Sequence, residues 1–183
     1  MKRFSNSFLV LVTVALFSFT AAITGAALYK LDAKSSKVSW SVSDQNGKEQ
    51  TGTLKFKSGN LQIDSKRITG GFFYINIQSL ACTSIADVGF NKDLIEWMRS
   101  ESNFNALKQK EIKVKITKAL RKDVDEGPNF EVTALVDIKG VKQSIDFPAT
   151  VKFGKKTNMV AEFDLKGENF SMEQDLHLSI NVN

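Results

Sequence analysis

The last third of the chain alternates apolar and polar residues almost one for one. In Phe130-Glu131-Val132-Thr133-Ala134-Leu135-Val136-Asp137-Ile138-Lys139, and again in Ile145-Asp146-Phe147-Pro148-Ala149-Thr150-Val151-Lys152-Phe153, apolar residues stand at every second position. Two is the side-chain period of a β-strand, so the pattern predicts strands that bury one face only. It returns in Ile112-Lys113-Val114-Lys115-Ile116 and in Leu176-His177-Leu178-Ser179-Ile180-Asn181-Val182. The expected fold is all-β, an antiparallel β-barrel of about eight strands with an apolar inside. Such a barrel is either solid or a container for one ligand.

Turn residues mark where the strands end. Asp44-Gln45-Asn46-Gly47, Ser58-Gly59-Asn60, Asp64-Ser65-Lys66, Asp123 to Pro128, Lys139-Gly140 and Phe153-Gly154-Lys155-Lys156 all favour turn dihedrals. Between them lie strand candidates near 36–43, 51–57, 60–64, 68–78, 111–121, 129–139, 142–153, 158–166 and 174–182. One region departs from this rhythm. Phe90, Leu94, Trp97 and Met98 fall at helical spacing and Phe104 and Leu107 follow, which predicts one or two short helices within 90–108 across an end of the barrel. Asn91 or Ser102 is the expected cap. Trp97 and Met98 would either plug the sheet or form a lid over a ligand.

The first 27 residues read differently. Met1-Lys2-Arg3 is a short basic start, Phe8 to Phe19 is an apolar run, and Thr24-Gly25-Ala26-Ala27 offers small residues for cleavage, the layout of a secretory signal peptide. The uninterrupted apolar stretch is shorter than the roughly 20 residues that cross a bilayer. Residues 28–183 would then form one exported domain, periplasmic or secreted. Cys82 is the single cysteine, so no internal disulfide can form, and it is expected as a small buried residue. The formal charge of +5 includes Lys2 and Arg3 of the leader, and no basic stripe marks a nucleic-acid partner.

Reactive chemistry is sparse. His177 is the only histidine and falls on the polar face of its strand; one histidine and one cysteine are too few for a zinc or iron site. No catalytic constellation is spelled out, and no cofactor is called for. An enzyme acting on a lipid would need a polar pair inside the barrel, such as Ser79 with an acid. Asp123, Asp125 and Glu126 read as turn residues rather than a calcium cage. What is plentiful is phenylalanine, fourteen residues with four in the leader, against two tyrosines and two tryptophans. Phenylalanine needs no hydrogen-bond partner when buried and so suits a dry interior. Phe56, Phe73, Phe130, Phe147, Phe153 and Phe163 would face inward.

Tyr29-Lys30-Leu31-Asp32, Ser36-Lys37-Val38-Ser39-Trp40 and Gly52-Thr53-Leu54-Lys55-Phe56-Lys57-Ser58-Gly59-Asn60-Leu61 resemble the opening of the YceI-like family of exported lipid-binding proteins. Ile75-Asn76-Ile77-Gln78-Ser79-Leu80, Asp93-Leu94, Ser102-Asn103-Phe104-Asn105 and the hairpin around Lys139-Gly140-Val141-Lys142 resemble the family's later segments in the same order. Gln109-Lys110 stands where the family carries Tyr-Pro, so ligand identity does not carry over. The resemblance implies a lipocalin-like barrel enclosing an apolar tunnel for a polyisoprenoid or other fatty amphiphile. Its lining is then expected from Trp40, Phe56, Phe73, Ile75, Ile77, Leu94, Trp97, Phe104, Phe130, Val132, Phe147 and Phe163. The implied role is carrier, store or sensor without turnover. A lipid-modifying enzyme, a solid barrel acting through its surface, an outer-membrane barrel, transient contact with a membrane surface and a homodimer all stay open at this level.

Overall fold

Every segment with sustained period-two patterning is a strand in the structure, a computed structural model that describes residues 25–43, 46–124, 126–154 and 156–183. The strands are β1 (Ala27–Lys30), β2 (Lys37–Ser43), β3 (Glu49–Asp64), β4 (Arg67–Cys82), β5 (Glu111–Arg121), β6 (Phe130–Ile138), β7 (Val141–Lys152), β8 (Asn158–Leu165) and β9 (Leu176–Val182). One helix, α1 (Val88–Arg99), lies between β4 and β5, and a single 3₁₀ turn, Gly167–Phe170, lies between β8 and β9. The expected leader 1–27 falls outside the described residues up to Thr24, as do Asp44, Gln45, Asp125 and Lys155 of the expected turns.

All pairings are antiparallel. Eight strands close a ring in the order β3, β2, β9, β8, β7, β6, β5, β4 and back to β3, while β1 adds to β3 alongside Asn60–Ile63. Hairpin chemistry sets the register. Ser65 and Lys66 (φ 50° and 61°) join β3 to β4, and Lys139 and Gly140 (φ 57° and 82°) join β6 to β7. Two successive left-handed residues make the turn whose twist matches that of paired strands.

Closure turns the apolar face inward. On β6 the sequence alternation becomes a strict alternation of buried and half-buried residues, from Phe130 to Ile138. Outward positions on β5 carry Lys113, Lys115 and Lys118. An outer-membrane barrel needs the reverse arrangement. Among the described residues no helix is long and apolar enough to cross a membrane.

Two expectations are corrected. The segments 51–57 and 60–64 are one sixteen-residue strand, because Ser58-Gly59-Asn60 is no turn and pairs in sequence with Tyr74, Phe73 and Phe72. Gly59 is there for closeness: a Cβ on it would lie 2.5 Å from the Phe73 ring and 2.8 Å from the Phe72 carbonyl oxygen. The single short helix stands where one or two were expected, but its cap is neither Asn91 nor Ser102. It begins after Asp87, whose carboxylate accepts a hydrogen bond from the Phe90 amide (2.9 Å), and it ends at Ser100. Asn91 is instead in the first turn, donating to the Cys82 and Ile85 carbonyls, and Ser102 follows the helix.

Candidate functional site

The barrel interior is mainly apolar. Trp40, Phe56, Phe73, Ile75, Ile77, Phe130, Val132, Phe147 and Phe163, all expected to face inward, belong to one buried cluster. Phe147 stacks on Phe163 with ring centroids 4.7 Å apart, and Phe56 meets Phe73 at 5.8 Å. The buried polar side chains among the described residues are Ser36, Gln50, Asn60, Asn103 and Thr157; none is charged. Packing here is tight, since Ile77, Val132, Val136, Leu165 and Leu178 expose 0 % of their surface even to water-sized contact. The side chains fill the barrel rather than lining an open channel.

Local sequence explains how the largest of them fits. Trp40 is 1 % exposed and donates its indole N–H to the Thr53 carbonyl oxygen at 3.3 Å. Its ring lies against Gly52, where a Cβ would sit 2.4 Å from the indole and 2.0 Å from the Ala81 carbonyl oxygen. Gly52 therefore serves close approach of ring and strands, not a phosphate loop.

The two ends of the barrel are built differently. At one end lie α1, the loop that follows it and the strap 166–175. Met98 is the buried helix residue; Leu94 and Ile95 pack partly against the core, so these three make the inward stripe. Phe90 is 70 % exposed and Leu107 94 %, which corrects the helical stripe expected from spacing: Leu107 lies in a turn after the helix. Phe104 is buried as expected. Trp97 is 36 % exposed and donates its N–H to Glu173 (3.2 Å), tying the helix to the strap.

Further polar ties hold these segments down. Arg99 donates to the Gln78 and Leu80 carbonyls at 2.9 and 3.1 Å. The Lys139 ammonium donates to the Glu101 and Ser171 carbonyl oxygens, both at 2.7 Å, linking the β6–β7 turn to both loops. Asp175 closes the base of the strap, accepting from the Gly167 amide (2.8 Å) and the Lys166 ammonium (2.7 Å). Those bonds favour the charged forms, so the Asp175 carboxyl is held below, and the Lys166 ammonium above, its ordinary value.

Under this cap lies a cavity of ≈ 10 Å³, bordered by Val42, Trp97, Met98, Phe104, Met172 and Leu176. That is about the space of one water. Beside it the ring is least securely zipped. β7 and β8 pair only from Ala149–Lys152 to Asn158–Ala161, although the strands run twelve and eight residues. The ladder stops at Pro148, which has no N–H to give. Beyond it, Gln143 of β7 donates to the Asn169 carbonyl (3.1 Å) in the 3₁₀ turn, whose Phe170 is 1 % exposed.

Other candidates resolve into structural roles. Ser79 accepts from the Lys55 amide (2.8 Å) and donates to the Asn76 carbonyl (2.6 Å), bridging a register shift between β3 and β4. His177 faces outward and pairs with Asp164 at 2.8 Å. Cys82 is half-buried at the end of β4, with its sulfur 3.6 Å from the Ser84 hydroxyl, rather than buried. No group of three or more His, Cys, Asp or Glu stands together as a metal site among the described residues. Leu176 of β9 borders the cap as well, while Phe170 and Met172 complete it and escaped sequence reasoning, since the strap carries no periodic pattern.

Residues 29–183 match the sequence model of the YceI-like domain. No curated protein matches the chain. The fold is similar to that of BcnA from Burkholderia cenocepacia (TM-score 0.65, 17 % identity, covering 83 % of this chain and 98 % of that one). It is also similar to a polyisoprenoid binding domain from Saccharophagus degradans implicated in plant cell wall breakdown (0.58, 16 %, 86 % and 97 %) and to a YceI protein of Campylobacter jejuni (0.51, 19 %, 70 % and 81 %).

Proposed function

The chain belongs to the YceI-like family, and from that premise we propose that it is an exported protein that binds a polyisoprenoid or another long-chain amphiphile in the barrel interior, as carrier, store or sensor, without turning it over. The observation that carries this reading is an interior with no buried charge, sealed at one end by short segments held mainly by side chains. A guest enters by displacing the cap and spreading the β7–β8 seam, where the fewest ladder bonds must break. Burying a chain yields about 0.8 kcal/mol per methylene, so ten methylenes offset roughly 8 kcal/mol of opening and immobilisation cost. The polyisoprenoid binding of the S. degradans domain supports this ligand class.

The outer side of the cap supports loading at a lipid surface. Val88 and Phe90 at the start of α1 and Leu107 beyond it are large apolar side chains turned to solvent. The leader 1–27 would place the domain in the periplasm or outside the cell.

Native mass spectrometry of the protein purified without detergent, followed by organic extraction, tests the reading. A stoichiometric isoprenoid or fatty molecule is the expected result. A protein that stays empty, and whose Tm does not rise when it is offered polyprenols and fatty acids, overturns it and leaves a solid barrel that works through its surface.

A further inference from the structure

On the outer face of the barrel one patch gathers apolar residues that break the alternation. Phe72-Phe73-Tyr74 puts aromatic residues on both faces of β4, and Ala134-Leu135-Val136 does the same with aliphatic ones on β6. The register collects the outward members. Phe72 lies opposite Lys115, which lies opposite Leu135; one rung along, Tyr74 lies opposite Lys113, then Asp137, then Lys142. Directly opposed residues share a face, so these form a two-rung grid. Phe72 is 37 % exposed and meets Tyr74 edge-on, ring centroids 5.3 Å apart.

The surface here is hollow. Register shifts at Gln62/Ile63 and at Ile116/Lys118 bend the strands on either side, as bulges do. The result is a groove of ≈ 730 Å³ bordered by Phe72, Tyr74, Leu135 and the three lysines. That volume lies in the range of small-molecule sites. The side-chain ammonium groups of Lys113, Lys115 and Lys142 have no hydrogen-bond or ion-pair partner among the described residues. Asp137 is the acid of the lining, and its carboxylate accepts from the Gly140 amide at 3.1 Å. Three lysines against one aspartate leave the rim net cationic, and an apolar floor with such a rim is complementary to a molecule with an apolar body and an anionic head.

We infer that this groove is a second binding site, separated from the interior by the sheet, for one molecule of a long-chain anionic amphiphile. The chain lies on Phe72, Tyr74 and Leu135, and the head group is held among Lys113, Lys115 and Lys142. The concave shape selects a single molecule over the flat surface of a bilayer.

The test is amide-resolved NMR titration with laurate below its micellar concentration, repeated with dodecyltrimethylammonium, on the wild-type domain and on Lys113→Glu/Lys115→Glu. Saturable shifts of the Phe72, Tyr74, Lys113 and Lys115 amides with laurate are expected. The double variant should bind laurate about tenfold more weakly, since each exposed charge contact contributes up to about 1 kcal/mol. Both substitutions are on exposed outward positions, and Phe72→Ser, read in the same titration, weakens the chain contact without touching charge. Equal binding of the cationic chain, unchanged laurate affinity in the charge variant, or binding to anionic vesicles with none to monomeric laurate would each overturn the inference.

Discussion

Met98→Ala asks whether the capped end is the door. Met98 is 3 % exposed and borders the ≈ 10 Å³ cavity under the helix. The substitution removes three heavy atoms beyond Cβ, two carbons and the thioether sulfur, about 2.4 kcal/mol of transfer free energy at about 0.8 per methylene-sized group. The enlarged void adds to this, for a total of about 3 kcal/mol within the usual range for buried methionine. If the cap must lift for a guest to leave, the same loss favours the lifted state by roughly a hundredfold. Met159→Ala is the matched control: Met159 is 0 % exposed at the start of β8, at the opposite end of the barrel. Urea unfolding should show similar losses for the two variants. Release of a fluorescent polyene fatty acid into excess vesicles should accelerate about a hundredfold in Met98→Ala only. Equal acceleration in Met159→Ala, or none in Met98→Ala, would refute entry through the cap.

Three other predictions follow from individual contacts. Gly52→Ala should destabilise the barrel by about 3 kcal/mol, since a Cβ there overlaps the Trp40 ring and the Ala81 carbonyl, and a red-shifted Trp emission should accompany the loss. The folded Asp175 carboxyl titrates below its ordinary value of 3.8, so its contribution is full above that value and drains as pH falls through the folded pKa. Lys166 titrates above 10.5, so its contribution is full below that value and drains as pH rises through its own folded pKa. Protection of the Gly167 amide, measured against that of Leu178, should therefore fall in acid and in strong base, and Asp175→Asn should abolish the acid limb. Lys139→Met should cost about 1 kcal/mol and raise hydrogen exchange in 100–105 and 166–175; a uniform rise over all strands would mean that Lys139 does not fasten the cap.

The parts of the fold that were legible in the sequence are those where one face is buried over many residues. β5, β6 and β9 alternate cleanly because their inner side meets only side chains and their outer side mainly water. Legibility failed where a residue answers to a neighbour distant in sequence. Ser58-Gly59-Asn60 has turn composition, yet Gly59 is small because the Phe73 ring presses on it from β4. Phe90 has helical spacing to Leu94, yet the direction of α1 is set by Asn91 and Arg99 donating to carbonyls of β4 and the residues just after it, and this turns Phe90 to solvent. The strap was silent because its closure depends on Asp175 meeting Gly167, a contact with no periodic trace. Most of the inward residues were readable; their filling of the barrel was not, since packing density has no signature in a pattern of polarity.

The unequal ends also determine which way round a guest can lie. The end opposite the cap is held by paired strands and side-chain bonds onto their backbone: Asn129 both donates to and accepts from Val151, Asn158 donates to the Val182 carbonyl, and Ser36 accepts from the Asn183 amide. Opening it means breaking the ladder, whereas the cap lifts by losing isolated contacts, and regions with few such contacts open first. A charged head group cannot follow the chain inside, because none of the fully buried residues is charged and an unpaired ion in such surroundings costs several kcal/mol. The head must stay at the rim, near Lys139 and Lys166. A fatty chain with a carboxylate at both ends should therefore bind at least about a hundredfold more weakly than the singly charged chain of the same length, compared by calorimetry with the outer groove disabled by Lys113→Glu/Lys115→Glu. Equal affinity would mean that the guest lies along a surface open to water and never enters the barrel.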